Sequence, residues 1–196
     1  MSSLVLIRHG QSVWNAANRF TGWTDVDLSE VGVSEAEEAG RILSSHRIDV
    51  VHTSDLVRAQ RTAEIIMSLN ESSEGYSTKF DWRLNERNYG SLQGLNKAET
   101  AEKFGAEQVH IWRRSFDVAP PDGESLEMTA ERTIPYFEEE ILPDLKAGKS
   151  VLVSAHGNSL RSIVMHIEEI SPEEIVSLEI GIKTANGSML EVKSTH

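Results

Sequence analysis

The stretch LVLIRHGQSVWN, Leu4–Asn15, determines how this chain folds and where its chemistry lies. Its first four residues are apolar and branched, which is typical of a buried parallel strand. The strand runs directly into Arg8, His9 and Gly10, so we expect these residues at the carboxyl edge of a sheet, where open α/β folds bind ligands. A glycine at this position lets the backbone approach a ligand closely.

The pairing of an arginine with a histidine at a strand end suggests phosphate chemistry. A guanidinium can hold a phosphate group while an imidazole nitrogen attacks it. Ser12 and Asn15 add short hydrogen-bonding side chains where the chain turns. The alternative is a buried strand whose histidine has only a structural role.

Length and composition limit the class of protein. A chain of 196 residues fits one domain over residues 1–196, since domains commonly run to about 100–200 residues. It has no run of about 18 apolar residues, so no membrane span is expected. It has no signal-peptide pattern and no cysteine, which fits a cytoplasmic protein.

The charge balance argues against some partners and sharpens the search for others. The formal net charge is −12, from 31 acidic and 19 basic residues, which is unfavourable for binding nucleic acid or an anionic membrane. If the substrate is an anion, the few cations must be concentrated around it. The candidates are Arg8, Arg58, Arg83, Arg87, Lys97, Arg113 and Arg114.

Alternation of strands and helices predicts an α/β fold. Strands are expected over 4–7, 48–52, 78–84 and 149–154, and a hairpin turn at Asn186-Gly187 between 176–182 and 188–193. Helices are expected over 30–46, capped by Ser29, over 55–69, capped by Ser54, over 95–104, 106–116 and 125–145, with breaks near Pro135 and Pro143. These elements predict a three-layer sandwich with a mostly parallel central sheet flanked by helices.

A second strand end repeats the pattern of the first. The apolar run 149–154 leads into His156, Gly157 and Asn158, where a helix is expected to begin. If the two strands are neighbours in the sheet, their histidines lie side by side.

Two further side chains have both a functional and an ordinary interpretation. Arg58 lies in the first turn of a predicted helix, where a cation opposes the helix dipole unless a phosphate lies between them; the alternative is a surface arginine paired with Asp55 or Glu64. Glu86 follows a strand end and could be a general acid or base whose pKa is raised beside bound phosphate. The alternative is a surface ion pair with a neighbouring arginine.

Five motifs together resemble one family. The chain resembles the histidine phosphatase (phosphoglycerate mutase-like) superfamily, and within it the cofactor-dependent phosphoglycerate mutases. The residues that carry this resemblance are Arg8-His9-Gly10, Phe20–Trp23, Arg83–Gly90, Trp112–Ser115 and His156-Gly157.

The resemblance implies an activity and the residues that perform it. The implied enzyme is an isomerase of glycolysis and gluconeogenesis that interconverts two small phosphorylated three-carbon acids, primed by 2,3-bisphosphoglycerate, without a metal. The implied catalytic residues are His9 as nucleophile, Glu86 as acid/base, and His156, Arg8 and Arg58. The implied substrate-binding residues are Arg8, Ser12, Asn15, Thr21, Gly22, Arg58, Glu86, Arg87, Tyr89, Lys97, Arg113, Arg114, Gly157 and Asn158.

The chemistry of the residues supports this interpretation and leaves an alternative. Attack by His9 requires an unprotonated ring nitrogen, so its other nitrogen should be held by an acceptor such as a backbone carbonyl. Tyr89, Lys97, Arg113 and Arg114 would anchor the rest of a mutase substrate, for which a phosphatase of small esters has less use. The phosphatase is therefore the second candidate. A non-catalytic binding module would be expected to lack at least one of four key residues, yet His9, Arg58, Glu86 and His156 are all present.

The chain departs from the family pattern in two places. Pro121-Asp122-Gly123 follows the Trp-Arg-Arg segment without the insertion of longer members, and 180–184 replaces a common Pro-Thr-Gly turn. The resemblance leaves homodimer and monomer both open. The other histidines are interpreted as surface or packing residues: His46, His52, His110, His166 and His196.

Overall fold

The structure is a computed structural model that describes the backbone of residues 2–180, 182–186 and 189–195 and the side chains of residues 2–180. Within these residues a mostly parallel sheet lies between two layers of helices, so the predicted three-layer α/β sandwich is confirmed. The strands are β1 (Ser3–Arg8), β2 (Val50–Thr53), β3 (Ser77–Phe80), β4 (Val151–Ala155), β5 (Ile182–Asn186) and β6 (Met189–Thr195).

The helices alternate with the strands as the sequence predicts. Short 3₁₀ turns lie at Trp82–Leu84 and Gly90–Leu92, and a π-helical segment at Phe137–Ile141. The α-helices are α1 (Val13–Ala16), α2 (Glu30–Ile42), α3 (Val57–Ser68), α4 (Lys97–Phe104), α5 (Ala106–Arg114), α6 (Leu126–Tyr136), α7 (Leu142–Lys146), α8 (Gly157–Glu168) and α9 (Pro172–Ile175).

The order of the strands puts the two histidine-bearing strands next to each other. In the described part of the chain the order is β3-β2-β4-β1-β5-β6. The first four strands are mutually parallel, and β5 and β6 run antiparallel to their neighbours. The carboxyl ends of β1 and β4 therefore meet at one edge of the sheet.

Alternate residues of β1 face the two helical layers. Leu4 and Leu6 pack in one core cluster with residues of α6 and α8. Val5 and Ile7 pack in the other with residues of α2 and α3. Each fully buried side chain of this kind contributes about 1.5–3 kcal/mol of transfer free energy, which fixes the register of the strand.

A third, smaller cluster lies apart from these two cores. Phe20, Leu92 and Val109 are buried in it, and Tyr89 and Trp112 pack against it. Because Val109 and Trp112 belong to α5, this cluster holds the α4–α5 pair in place.

The predicted N-cap of α3 is wrong. The helix begins at Val57, and its N-cap is Leu56, without a side-chain cap. The Ser54 hydroxyl instead forms a 2.7 Å hydrogen bond with Nε2 of His156 and accepts the N–H of Leu56. A tertiary contact has therefore replaced the local cap.

Other predicted boundaries shift for local reasons. β3 ends at Phe80 because the Asp81 side chain accepts the N–H of Arg83 and caps a 3₁₀ turn. The break predicted near Pro135 is a π-helical segment that begins two residues later. The predicted strand over 176–182 is wrong, since β5 begins at Ile182; residues 187 and 188 of the predicted hairpin turn lie outside the described residues.

A buried polar cluster fastens α7 to the sheet. His52 of β2 bonds to the Tyr136 hydroxyl through Nδ1 at 2.8 Å and to Asp144 through Nε2 at 3.0 Å. Asp144 also accepts from Lys149 at 2.8 Å and Lys79 at 3.1 Å. His52 is thus a packing residue, as the sequence predicts. Burial acts to raise the pKa of Asp144, but the bonds from Lys149, Lys79 and His52 lower it to about 2.

The substitution Asp144→Asn should reduce stability at neutral pH and leave it less sensitive to acid. A carboxyl whose folded-state pKa is depressed stabilises the protein above its unfolded pKa, and that stabilisation is lost as pH falls through the folded value. We expect a loss of about 2 kcal/mol at pH 7, shrinking between about pH 4 and pH 2. Urea unfolding across this range measures it; a difference that is independent of pH would contradict the assignment.

Candidate active site

The ends of β1 and β4 bring two histidines together, as the sequence predicts. Arg8 lies opposite Ala155 in the parallel ladder, and the N–H of His9 donates to the carbonyl of Ala155 at 3.0 Å. His156 directly follows the last residue of β4, and the centroids of the two imidazole rings lie 4.9 Å apart.

The imidazole of His9 is held in the form needed for nucleophilic attack. Its Nδ1 lies 2.6 Å from the carbonyl oxygen of Gly10. Because a carbonyl only accepts, Nδ1 carries the proton and Nε2 has the unprotonated lone pair. Burial, then the charges of Arg58 and Arg8, hold the pKa of His9 well below its ordinary value. The predicted backbone acceptor is confirmed.

Gly10 is required by the packing of its turn against a helix. A Cβ atom on Gly10 would overlap the backbone carbonyl of Gly32 in α2, and one on Gly32 would overlap the backbone of Gln11. The close approach to a ligand that the sequence suggests for this glycine stays a prediction. The contact fixes the turn after His9 against the backbone of a helix. A helix backbone cannot move aside to make room, whereas a flexible side chain could.

His156 is buried directly behind His9. Its Nε2 bonds to the Ser54 hydroxyl, while its Nδ1 has no hydrogen-bond partner among the described residues. Burial, followed by the charges of Arg58, His9 and Arg8, lowers its pKa well below the ordinary histidine value. A buried polar atom without a partner is costly unless a ligand supplies one.

Arg58 belongs to the site, so its interpretation as a surface residue is wrong. It is 1% exposed, and its Nη2 and Nη1 donate to the carbonyls of Gly22 at 2.7 Å and Thr24 at 3.1 Å. Its Nε lies 3.4 Å from Nε2 of His9. Burial lowers the pKa of Arg58 to about 10, so the guanidinium remains charged at neutral pH.

Glu86 is held by main-chain groups and not by an arginine on the surface. Its Oε1 accepts the N–H of Arg87 at 2.7 Å and of Asn158 at 3.2 Å. Burial acts to raise its pKa, but the Arg87 N–H, the charges of Arg58 and Arg8, and the Asn158 bond outweigh burial and lower it. The carboxylate is thus ionised in the protein alone; a raised pKa beside bound phosphate stays a prediction.

A polar cavity of about 130 Å³ opens beside these groups. Among the side chains that the structure describes, seven of its lining residues are basic and two are glutamates, in a chain of net charge −12. The predicted site residues that line it are Arg8, His9, Asn15, Thr21, Gly22, Arg58, Glu86, Tyr89, Lys97, Arg113, Arg114, Gly157 and Asn158.

Besides His156, three candidates from the sequence lie outside this lining. Ser12 is buried as the N-cap of α1 and accepts the N–H of Asn15. Arg87 is buried beside the cavity, where its Nη2 donates to the carbonyl of Arg113 at 2.6 Å and its guanidinium lies 5.1 Å from the Tyr89 ring. Arg83 pairs with Asp81 and Glu139 away from the site.

Four lining residues were not predicted as site residues. Arg161 follows Gly157 by four positions on α8, so the helical repeat could have placed it on the same face. Arg19 and Phe20 adjoin predicted Thr21 in the same loop. Glu179 had no signal in the sequence; it lies 3.5 Å from Arg114 and 4.0 Å from Arg161.

In the described residues, no group of three or more His, Asp or Glu side chains is arranged to hold a metal ion. Over the same residues, every helix is too short or too polar to cross a bilayer.

Comparison with known proteins identifies the family of the chain. Residues 4–196 match the histidine phosphatase superfamily (branch 1), so the chain belongs to this superfamily. Its relatives include 2,3-bisphosphoglycerate-dependent phosphoglycerate mutases. That of Protochlamydia amoebophila is 51% identical, covering 92% of this chain and 91% of the relative. That of Xanthobacter autotrophicus is 54% identical, covering 90% and 86%.

Solved structures agree with the fold. A mycobacterial glucosyl-3-phosphoglycerate phosphatase in complex with VO3 superimposes with a TM-score of 0.83 at 26% identity, over 96% of this chain and 93% of that one. The predicted mutase-like architecture is therefore confirmed.

The substitution Glu179→Gln should strengthen anion binding in the cavity. The Glu179 carboxylate is mostly exposed and competes with a ligand anion for Arg114 and Arg161. Exposed ion pairs contribute about 0.2–1 kcal/mol, so we expect the Kd for inorganic phosphate to fall about 2- to 5-fold in calorimetry. Glu173→Gln, on α9 and outside the cavity lining, is the matched control. Equal Kd values for both variants would contradict this role.

Proposed function

We propose that this enzyme interconverts 2-phosphoglycerate and 3-phosphoglycerate through a phosphohistidine on His9. The observation that carries the proposal is the neutral His9, with Nε2 unprotonated and Nδ1 bonded to a carbonyl, at the wall of a cavity rich in cations. The identity of about 50% to phosphoglycerate mutases over most of the chain supports the same reaction.

The residues around His9 fit a phosphoryl transfer. Nε2 of His9 attacks phosphorus, the bond from phosphorus to the substrate oxygen breaks, and the phosphoryl group moves to the imidazole. The leaving oxygen takes a proton from Glu86, which must be protonated in the complex, in line with the rise of its pKa expected beside bound phosphate. Arg8, Arg58 and Asn15 line the cavity and would bind its oxygens. His156 lies outside this lining, but its ring centroid is 4.9 Å from that of His9, and its unpartnered Nδ1 would donate to the phosphoryl group carried by His9. Such a transfer depends mainly on positioning and on neutralising charge.

Glu86 is the residue suited to move the substrate proton. As the ionised carboxylate that the surroundings favour, it can take the proton of the acceptor hydroxyl when that oxygen attacks the phosphohistidine. It then returns the proton to the leaving oxygen in the reverse transfer. One group serves both directions because each isomer presents a hydroxyl where the other carries phosphate.

A second group of cations supports a mutase rather than a simple phosphatase. Lys97 begins α4, and Arg113 and Arg114 end α5, so the α4–α5 pair delivers three positive charges to the cavity. With Tyr89 they would hold the carboxylate and the second phosphate of the substrate. Once its hydroxyl has taken the phosphoryl group, a bisphosphorylated intermediate held at both ends can turn and present its other phosphate to the freed His9 without leaving.

The same cation set fits 2,3-bisphosphoglycerate as the primer. Its two phosphates and carboxylate match the two groups of basic residues, and the buried Oγ1 of Thr21 has no partner within the described chain and could donate to a ligand oxygen. When bound, this primer supplies the phosphoryl group that charges His9. We place the activity in the cytoplasm, in keeping with a chain without cysteine.

An enzyme-coupled assay on 3-phosphoglycerate, run alongside phosphate release, tests the proposal. We expect 2-phosphoglycerate to form only with catalytic 2,3-bisphosphoglycerate and with little free phosphate, and His9→Ala to abolish turnover because the covalent intermediate cannot form. Isomerisation retained in His9→Ala would refute the mechanism. Phosphate release without isomer would identify a phosphatase instead.

The substitution Glu86→Gln should slow turnover by about 10²–10⁴-fold if Glu86 transfers the proton. KM should change little, because the amide preserves the size of the side chain and one acceptor oxygen for the Arg87 and Asn158 N–H groups. Steady-state kinetics measure this, with Glu99→Gln on α4 as the matched control. A kcat close to that of the parent enzyme would remove Glu86 from the chemistry.

A further inference from the structure

Arg132 donates hydrogen bonds to several main-chain oxygens of the segment that carries Glu86. It lies on α6, away from the cavity lining, and is 8% exposed. Its Nη1 donates to the carbonyls of Arg83 at 2.9 Å and Asn85 at 3.0 Å, and its Nη2 donates to the carbonyl of Glu86 at 2.9 Å. Nη1 also donates to the carbonyl of Trp82 at 3.4 Å, so one guanidinium holds four main-chain oxygens within five residues.

The guanidinium of Arg132 is itself fixed on its other sides. Its Nε and Nη2 bond to the two carboxylate oxygens of Glu124 at 2.9 and 2.8 Å. Its Cζ lies 5.5 Å from the Trp23 ring and 5.9 Å from the Trp82 ring. A bidentate pair and flanking aromatic rings leave the group little freedom to rotate.

The backbone around Glu86 accepts or donates two further hydrogen bonds, one with Trp23 and one with Glu124. Nε1 of Trp23 donates to the carbonyl of Glu86 at 2.6 Å, so that this oxygen accepts from both Trp23 and Arg132. The Glu124 carboxylate also accepts the N–H of Asn88 at 2.8 Å. The backbone is thereby held on both sides of Glu86.

We propose that Arg132, together with Trp23, is a positioning residue for proton transfer by Glu86. The inference rests on the proposed acid/base role of Glu86. Fixing the carbonyl of Glu86 fixes its Cα and the following N–H, and that N–H is the one that holds the carboxylate oxygen. Arg132 neither lines the cavity nor bonds to His9. Its charge contributes to the lowered pKa of His156, an effect that a lysine would keep, so the effect specific to arginine passes through this backbone.

Lysine cannot replace arginine in this position. An ammonium is a compact charge that could still pair with Glu124, but it lacks the planar fork that reaches several carbonyls and the carboxylate at once. Arg132→Lys therefore keeps the charge and loosens the segment. A displacement of about 1 Å at a catalytic group can cost about 10²-fold in rate.

The test compares two phosphate esters that differ in their need for a proton. The rate of phosphohistidine formation is measured with 2,3-bisphosphoglycerate, whose leaving alkoxide must be protonated, and with p-nitrophenyl phosphate, whose phenolate leaves without a proton. For Arg132→Lys we expect a fall of about 10- to 100-fold with the first ester and less than about 3-fold with the second. Equal losses with both esters would overturn the proposal, because they would indicate general damage to the site.

Two companion variants separate the role of Arg132 from general damage to the site. Arg83→Lys is the matched control on the same segment, since its guanidinium pairs with Asp81 and Glu139, and it should keep both rates. Trp23→Phe removes one donor to the Glu86 carbonyl but keeps the ring, and should show the same ester preference to a smaller extent. If Arg132→Lys does not fold, as judged by thermal unfolding, equal losses in Trp23→Phe overturn the proposal.

Glu86→Gln, measured with both esters, separates this inference from the function on which it rests. If Glu86→Gln slows both esters equally, the acid/base role of Glu86 fails, and positioning by Arg132 fails with it. If Glu86→Gln is selective for the alkyl ester but Arg132→Lys is not, only the role of Arg132 is refuted. Selectivity in both variants supports the proposal.

Discussion

The parallel pairing of β1 with β4 is the constraint on which the rest of the molecule depends. Because Arg8 lies opposite Ala155, both strands end at the same level, and each is followed by a histidine and then a glycine. A shift of one residue in this register would turn Leu4 and Leu6 from one core to the other. The two buried clusters thus set the distance between the imidazoles as well as the stability of the fold.

The site combines a rigid half with a half attached by a smaller core. The rigid half consists of residues on or next to elements packed in the main clusters, namely His9, Arg58 and His156. Burial and the positive charges nearby disfavour protonation of the two imidazoles. The second cation group is brought in by α4 and α5, which rest on the cluster around Phe20. An anion that bridges both halves neutralises their positive charges and so relieves the repulsion between them. The acidic residues elsewhere in the chain are too distant to do this equally well.

Patterns confined to one element could be read from the sequence, and contacts between elements could not. The apolar run of β1, the Ser29 cap of α2 and the two histidine turns follow from local chemistry. Ser54 looks like an N-cap in isolation, yet its partner is His156, which lies 102 residues away. Contacts between distant segments also place Gly10 against Gly32 and Glu179 in the lining of the cavity.

The separate cluster around Phe20, Leu92 and Val109 has a consequence for local stability. A small core opens at lower free energy than the whole domain, so α4 and α5 can unfold locally while the sheet stays intact. A ligand that needs Lys97 and Arg113 binds only the form in which α4 and α5 are folded. It therefore shifts the local unfolding equilibrium towards that form by mass action. Slowed amide hydrogen exchange would then concentrate in α4 and α5 on ligand binding, although the chemistry occurs at the ends of β1 and β4.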